Sequence, residues 1–207
     1  MVGYVSLCFN YLYSILPYIS ISLNRPDVYT ILTSSEVLVM KGSTGKNFET
    51  EIRRSLKDKR TKCFWFRIQD TNDVSRFVKQ AIAEKQPADF MAVYRSKAFL
   101  IECKTSRNLT SFPLYYGATR AIPVHQVKAG ELIEKNGGVG YLLIRRDEAR
   151  NKRVFAITPS QAGYLYSYFG KKRKSVPWSW FEKNATEVDR LAKPIRWNLR
   201  KLFEEDI

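Results

Sequence analysis

Apolar residues recur along this chain in two rhythms, and the switches between them mark its elements. Phe48, Ile52 and Leu56 fall at four-residue spacing, which predicts a helix from Asn47, a suitable N-cap, to about residue 58. Residues 62–68, centred on Phe64-Trp65-Phe66, predict an aromatic-rich strand. Val74, Phe77, Val78, Ala81 and Ile82 share one face of a helix predicted from residue 70 or 71 to about 85, stopped by Pro87. Residues 89–94 and 98–104 predict two strands. Only Arg95-Ser96-Lys97 separates them, so they form a hairpin. Residues 105–122 form a long loop, a length that is usually functional or mobile. Pro123 opens a helix through about residue 134, ended by Gly137-Gly138. Strands over 139–145 and 153–157 follow, then a helix over 159–169. The tail, 185–203, reads as helix in two pieces broken at Pro194, with Leu191, Ile195, Leu199 and Leu202 as its docking face. This order argues for an α/β domain with a mixed central β-sheet flanked by helices.

Composition narrows the class. The chain has 207 residues and 24.1 kDa, enough for one domain with an appendage. With 44% hydrophobic and 14% aromatic residues it is not a wholly disordered chain. Cys8, Cys63 and Cys103 are odd in number and scattered, which excludes a disulfide scaffold and fits a reducing, intracellular compartment. His125 is the sole histidine, so a His-rich zinc site is excluded.

The net charge of +15 and pI near 9.8 point to a polyanionic partner, nucleic acid before anionic membrane. That charge is uneven. Residues 1–24 carry none, and residues 1–39 hold only Arg25, Asp27 and Glu36, so 40–207 carry +16. The chain therefore divides into an uncharged, Tyr-rich arm or extension (1–39), a basic body (40–184) and a tail (185–207). The arm has the length of a membrane span, but Pro17, Asn10, four serines and four tyrosines dilute it. Its alternating residues 18–23 read as a half-buried strand. A packed or dimer-forming arm is favoured, then an extension ahead of a start at Met40; membrane insertion comes last.

The hairpin concentrates the chemistry. Leu100, Glu102 and Lys104 share one face of its second strand, and Phe99, Ile101 and Cys103 the other. Asp89 begins the partner strand and so lies near the end of this one. Two carboxylates at one spot repel, and a divalent cation relieves them. On the first helix Glu49 sits roughly 60° from the middle of the Phe48-Ile52-Leu56 stripe and Glu51 roughly 100° on the other side. Glu49 is thus the acid expected to face inward and Glu51 the one closer to solvent. An ordinary strand-end ion pair, with Glu49 as a dipole-favoured helix acid, explains the same residues.

Pro87-Ala88-Asp89 followed by Ile101-Glu102-Cys103-Lys104 resembles the PD-(D/E)XK signature of the restriction-endonuclease-like superfamily. Glu49, four residues after Gly45 at the head of an amphipathic helix, is similar to the metal-binding acid of archaeal Hjc-like Holliday-junction resolvases. Thr110-Ser111-Phe112-Pro113-Leu114, His125-Gln126 and Gly137-Gly138 resemble the bacterial RecU-type resolvases. Together these cover about residues 41–158, more weakly to 182, and not 1–39.

The resemblance implies a restriction-endonuclease-like core. Glu49, Asp89, Glu102 and the backbone carbonyl of Cys103 would hold Mg²⁺, with Mn²⁺ able to substitute. Lys104 would orient or help deprotonate the attacking water, and Gln126 would contact the site or the scissile phosphate. The reaction would be metal-assisted hydrolysis of DNA phosphodiesters, at four-way junctions. The two-fold symmetry of a junction implies a homodimer. The setting would be the cytoplasm or nucleoid, of a cell or of one carrying a virus or mobile element. Other DNA structures as substrate, or a non-catalytic DNA-binding role on the same scaffold, are the alternatives.

Arg53, Arg54, Lys57, Lys59, Arg60 and Lys62 follow the proposed acid closely and suit phosphate tracking. Arg107 and Arg120, with Phe112, Tyr115 and Tyr116, give the long loop cations and aromatics suited to stacking on unpaired bases or wedging at a junction. Lys171, Lys172, Arg173 and Lys174 form a further candidate backbone contact. Trp178, Trp180 and Phe181 read as core or interface, Cys103 as a core thiol, and His125 as a structural helix residue.

Overall fold

In the computed structural model, residues 20–25, 28–32, 37–41, 44–68, 86–149, 151–191 and 193–207 are described. The helix expected over 70–85 lies outside these residues, as do residues 1–19 of the arm. The chain divides into two units, residues 1–47 and 48–207. In the first, β1 (Ser20–Arg25), β2 (Val28–Leu32) and β3 (Val37–Lys41) form an antiparallel sheet in chain order. Part of the strand expected over 18–23 is thus present. No described helix is long and apolar enough to cross a membrane.

The second unit is built on the expected hairpin. β5 (Phe90–Tyr94) and β6 (Lys97–Ser106) pair antiparallel with Tyr94 opposite Lys97, so the turn is two residues, Arg95-Ser96. Both turn residues have positive φ, 47° and 66°, as a tight hairpin turn matching strand twist requires. β4 (Phe64–Arg67) flanks β5. On the other side β10 (Val139–Arg146) runs parallel to β6, followed by antiparallel β11 (Arg153–Ile157) and β13 (Thr186–Val188). The order β13-β11-β10-β6-β5-β4 is the mixed α/β sheet read from the sequence.

Strand alternation sends side chains into two cores. Phe90, Ala92, Phe99, Ile101, Tyr141 and Leu143 meet Phe48, Ile52 and Leu56 of α1 (Thr44–Leu56). On the other face Leu142, Ile144, Phe155 and Ile157 meet Phe112, Trp178 and Phe181. α2 (Val124–Lys135) ends at Gly137, whose φ of 81° suits glycine, and packs close on this face. A Cβ on Gly140 would lie 2.7 Å from Pro159 Cγ and 3.0 Å from Gly130 Cα, so α2 approaches the sheet only because both positions are glycine. That approach brings Gln126 beside Glu102.

Several expectations need correction. The long loop is largely ordered: β7 (Ser111–Pro113) pairs with β12 (Ser175–Pro177), and β8 (Tyr115–Tyr116) with β9 (Thr119–Arg120). Phe112, expected to be available for base stacking, is 1% exposed in the second core. The helix expected over 159–169 is present, as α3 (Pro159–Tyr164) continued by a π turn, Leu165–Phe169. The tail is not two helices. After α4 (Trp178–Asn184) it supplies β13, then β14 (Arg190–Leu191) paired with β15 (Arg196–Trp197), and only α5 (Leu199–Glu204) is helical. Trp197, Leu199, Leu202 and Phe203 are buried in the first core, so burial rather than helical spacing fixes this segment.

Candidate metal-dependent active site

The site forms where β6 outlasts β5. The Asp89 backbone N–H donates to Ile101 O (3.1 Å), and then the Asp89 carboxylate takes over. Its Oδ2 accepts the Cys103 N–H at 2.8 Å, replacing the partner that β5 no longer offers. Glu102 and Lys104 project on the side of the sheet that faces α2, and Lys104 Nζ lies 2.7 Å from Glu102 Oε1. Glu102 Oε2 is buried and meets no hydrogen-bond partner among the described residues; Gln126 Oε1 is in the same state. Asp89, Glu102, Lys104 and Gln126 are therefore brought together.

Burial first, and the neighbouring Asp89 charge second, raise the Glu102 carboxyl to about 7; Lys104 and the Gln126 side chain oppose the shift. Burial also raises Asp89, against the Cys103 N–H and the charges of Lys104 and Arg67. Such a pair of desolvated, mutually repelling carboxylates, one with an orphaned oxygen, suits a cation. Mg²⁺ commonly takes one or two carboxylates, its remaining ligands being water and substrate phosphate. The oxygen donors of Asp89 and Glu102, with the Cys103 carbonyl, fit that chemistry.

Glu49 is less integrated. Its Oε2 is 2.7 Å from Arg67 Nη2 on β4, and its charge, like those of Asp89 and Glu102, acts on the Cys103 thiol. Among the described residues no group of three His, Cys, Asp or Glu side chains is arranged to hold a metal. Cys103 packs partly against the first core, as a core thiol should.

The expectation for Glu51 is overturned. Glu51 is 5% exposed; its Oε2 lies 2.9 Å from Arg145 Nη1 and accepts from Trp197 Nε1 (3.2 Å), and its Oε1 accepts from Lys152 Nζ (3.1 Å). Arg145, itself fully buried, stacks over Phe48 with Cζ 4.8 Å from the ring centre. The stripe was centred on apolar residues alone. Ser55, fully buried, donates to Glu51 O and accepts the Trp197 N–H, and counting it moves the buried face toward Glu51. No periodicity in the sequence announces this network.

The candidate DNA contacts differ among themselves. Arg53, Arg54, Arg107, Lys171, Arg173 and Lys174 are exposed. Arg60 is also exposed but forks onto Asp58 through Nε (3.2 Å) and Nη2 (2.9 Å). Lys57 lies over Trp65, Arg120 over Tyr166 and Lys172 over Tyr168.

Residues 44–200 match the family model of recombination protein U, RecU. The Holliday junction resolvase RecU of Ureaplasma parvum serovar 3 is 32% identical over 130 residues, which is 62% of this chain and 69% of that protein. The enzyme of the same name from Shouchella clausii is 31% identical over 113 residues, 54% of this chain and 46% of the relative. Among solved structures, Hjc of Archaeoglobus fulgidus, a Holliday junction resolvase, aligns at 15% identity and a TM-score of 0.41, covering 69% of this chain and 95% of that one.

Proposed function

The chain belongs to the RecU family, and from that premise we propose that it is a DNA endonuclease that resolves Holliday junctions, acting as a homodimer with Mg²⁺. The observation that carries this reading is Glu102: buried, raised toward neutrality, paired with Lys104 through one oxygen and left unpartnered at the other beside Asp89. Asp89, Glu102 and the Cys103 carbonyl would hold the cation, with Glu49 joining once released from Arg67. A divalent ion bound there supplies Lewis acidity and lowers the pKa of water.

The protein's own groups do the rest. The Cys103 N–H fixes the Asp89 carboxylate, so one acid is oriented before any ligand arrives. Lys104 Nζ balances the Glu102 charge as an ammonium and could orient the attacking water through its remaining N–H groups. Gln126, carried in by α2, holds Glu102 from the flank. The exposed cations Arg53, Arg54, Arg107 and the 171–174 run would track phosphates.

Purified protein and its Asp89→Asn variant, incubated with four-way junctions and with linear duplex, with and without Mg²⁺, test the reading. The expected result is paired symmetric cuts in the junction, dependent on Mg²⁺ and at least about a thousandfold slower in the variant. Binding without metal-dependent cutting removes the enzyme reading. Equal cutting of duplex removes the junction preference. Gel filtration tests the dimer.

A further inference from the structure

Arg145 has no part in the proposed reaction, yet it is fully buried. A guanidinium does not shed its charge on burial, so its partners must account for its place. They come from three directions. Arg145 stands on β10 opposite Thr105 of β6, and its Nε donates to Thr105 Oγ1 at 3.3 Å. Its Nη1 lies 2.9 Å from Glu51 Oε2 on α1. Its Nη2 lies 3.5 Å from Asp147 Oδ2, just past the end of β10, where the Asp147 N–H donates to Ser106 O at 2.8 Å. Lys152 Nζ closes the ring, 3.1 Å from Glu51 Oε1 and 3.8 Å from Asp147 Oδ1.

These contacts bracket the candidate site. Thr105 directly follows Lys104 on β6. On α1, Arg145 meets residues on both sides of Glu49: Phe48, whose ring lies under the guanidinium, and Glu51. α1 packs on one face of the sheet, whereas Glu102 and Lys104 project from the other. The charges of Glu49, Asp89 and Glu102 nevertheless converge on Cys103 at the strand between them. Whether Glu49 reaches the other two acids thus depends on where α1 lies along the sheet. The Phe48-Ile52-Leu56 stripe holds α1 down, but hydrophobic burial is non-directional. The rigid planar fork of an arginine is directional, and it fixes α1 against β6 and β10. Arg67 pairs with the tip of Glu49 and is itself exposed; Arg145 holds the helix beneath it. Stability does not explain the arrangement, because a satisfied buried ion pair contributes little beyond apolar packing of the same volume.

We propose that Arg145 is a positioning residue for metal binding: by clamping α1 to β6 it sets Glu49 within reach of the divalent cation that Asp89 and Glu102 would hold. The proposal rests on the reading of Glu49, Asp89 and Glu102 as metal ligands. Arg145 contacts none of these three carboxylates in the contacts described above; it acts on Glu49 through the helix that carries it. Shifts of about 1 Å that originate far from the chemistry are enough to spoil such a constellation. Residues that orient the ligands of a metal commonly govern its affinity without touching it.

The test titrates the full chain with Mn²⁺ and follows the loss of the free ion's EPR signal. Asp89→Asn defines the part of the binding that belongs to the site. Glu49→Gln, which leaves the buried cluster intact, should weaken that binding about tenfold. Glu51→Leu/Arg145→Met exchanges the ion pair for apolar packing. It should keep most of its thermal midpoint with metal chelated and still bind Mn²⁺ about tenfold more weakly. Thr105→Val, which removes only the contact to β6, should weaken binding about threefold. Added to Glu49→Gln, the Glu51/Arg145 pair should cause no further loss, because its effect passes through Glu49. Wild-type affinity in Glu49→Gln or in Thr105→Val overturns the proposal without the doubly substituted core having to fold. So does wild-type affinity in the folded pair, or a loss that adds in full to that of Glu49→Gln, the mark of general loosening. A wild-type chain that binds no Mn²⁺ overturns the metal-site reading and this proposal with it. The expected pattern of affinities without any cutting of DNA would remove the nuclease reading alone.

Discussion

At the ends of β6 and β10 the fold places two charged clusters on opposite faces of one sheet. Around Glu51 both carboxylate oxygens are taken, by Arg145 and Trp197 on one and Lys152 on the other. Around Glu102 one oxygen meets Lys104 and the Gln126 side chain stands at the flank, while Oε2 makes no hydrogen bond among the described residues. Both acids are buried, at 5% exposure each, so burial alone does not separate them. The number of partners on the carboxylate does: three on Glu51, against Lys104 and the flanking Gln126 on Glu102. A closed network holds elements together, here α1, β10 and the C-terminal segment; an open one keeps free energy in reserve for a ligand.

The largest stability effect should come from breaking the closed cluster. Glu51→Ala leaves Arg145 buried without its main counter-charge and should cost about 3–5 kcal/mol in urea unfolding. For a chain of this size that is on the order of 10 °C in unfolding midpoint. Glu51→Leu combined with Arg145→Met should recover most of the loss, because apolar packing replaces a satisfied buried pair at little cost. A loss below about 1 kcal/mol for Glu51→Ala would dissolve the distinction.

The open cluster should respond with the opposite sign. The Glu102 carboxyl stands at about 7 in the folded protein against an ordinary 4.5. Between those pH values the folded protein keeps a proton that the unfolded chain has lost, so this group's contribution to stability falls as pH rises from about 4.5 to 7. With metal chelated, Glu102→Gln should therefore raise stability by about 1–3 kcal/mol at pH 8 and flatten that decline. A destabilised variant at pH 8 would mean that Glu102 is a structural ion-pair partner like Glu51. The smallest effect is expected at Gln126, which touches the open cluster from its flank. Gln126→Ala should slow cutting about three- to tenfold while changing unfolding by no more than about 1 kcal/mol. A larger stability loss than rate loss would move Gln126 to the structural side.

Much of this molecule was legible from spacing alone. The hairpin, the 139–145 and 153–157 strands, the Phe48-Ile52-Leu56 face and the neighbourhood of Asp89, Glu102 and Lys104 all follow from periods of two and 3.6 and from a short turn. These features are local, or are separated by one tight turn, so the order of residues determines them directly. The relation of α1 to β10 is not local. Glu51 and Arg145 are 94 positions apart, and nothing in either neighbourhood specifies that they meet. The tail misled for a similar reason: its leucines recur at helical spacing, yet β13 is drawn into the sheet by an open edge on β11, and Trp197 by the Ser55 hydroxyl. Phe112 reads as a loop aromatic because the sequence does not show that Trp178 and Phe181 pack against it. By itself, then, the sequence determined which residues share a face and which motif they compose. Only the tertiary structure decided which acids are satisfied, because partners for a buried charge are supplied by whatever distant element packs against it.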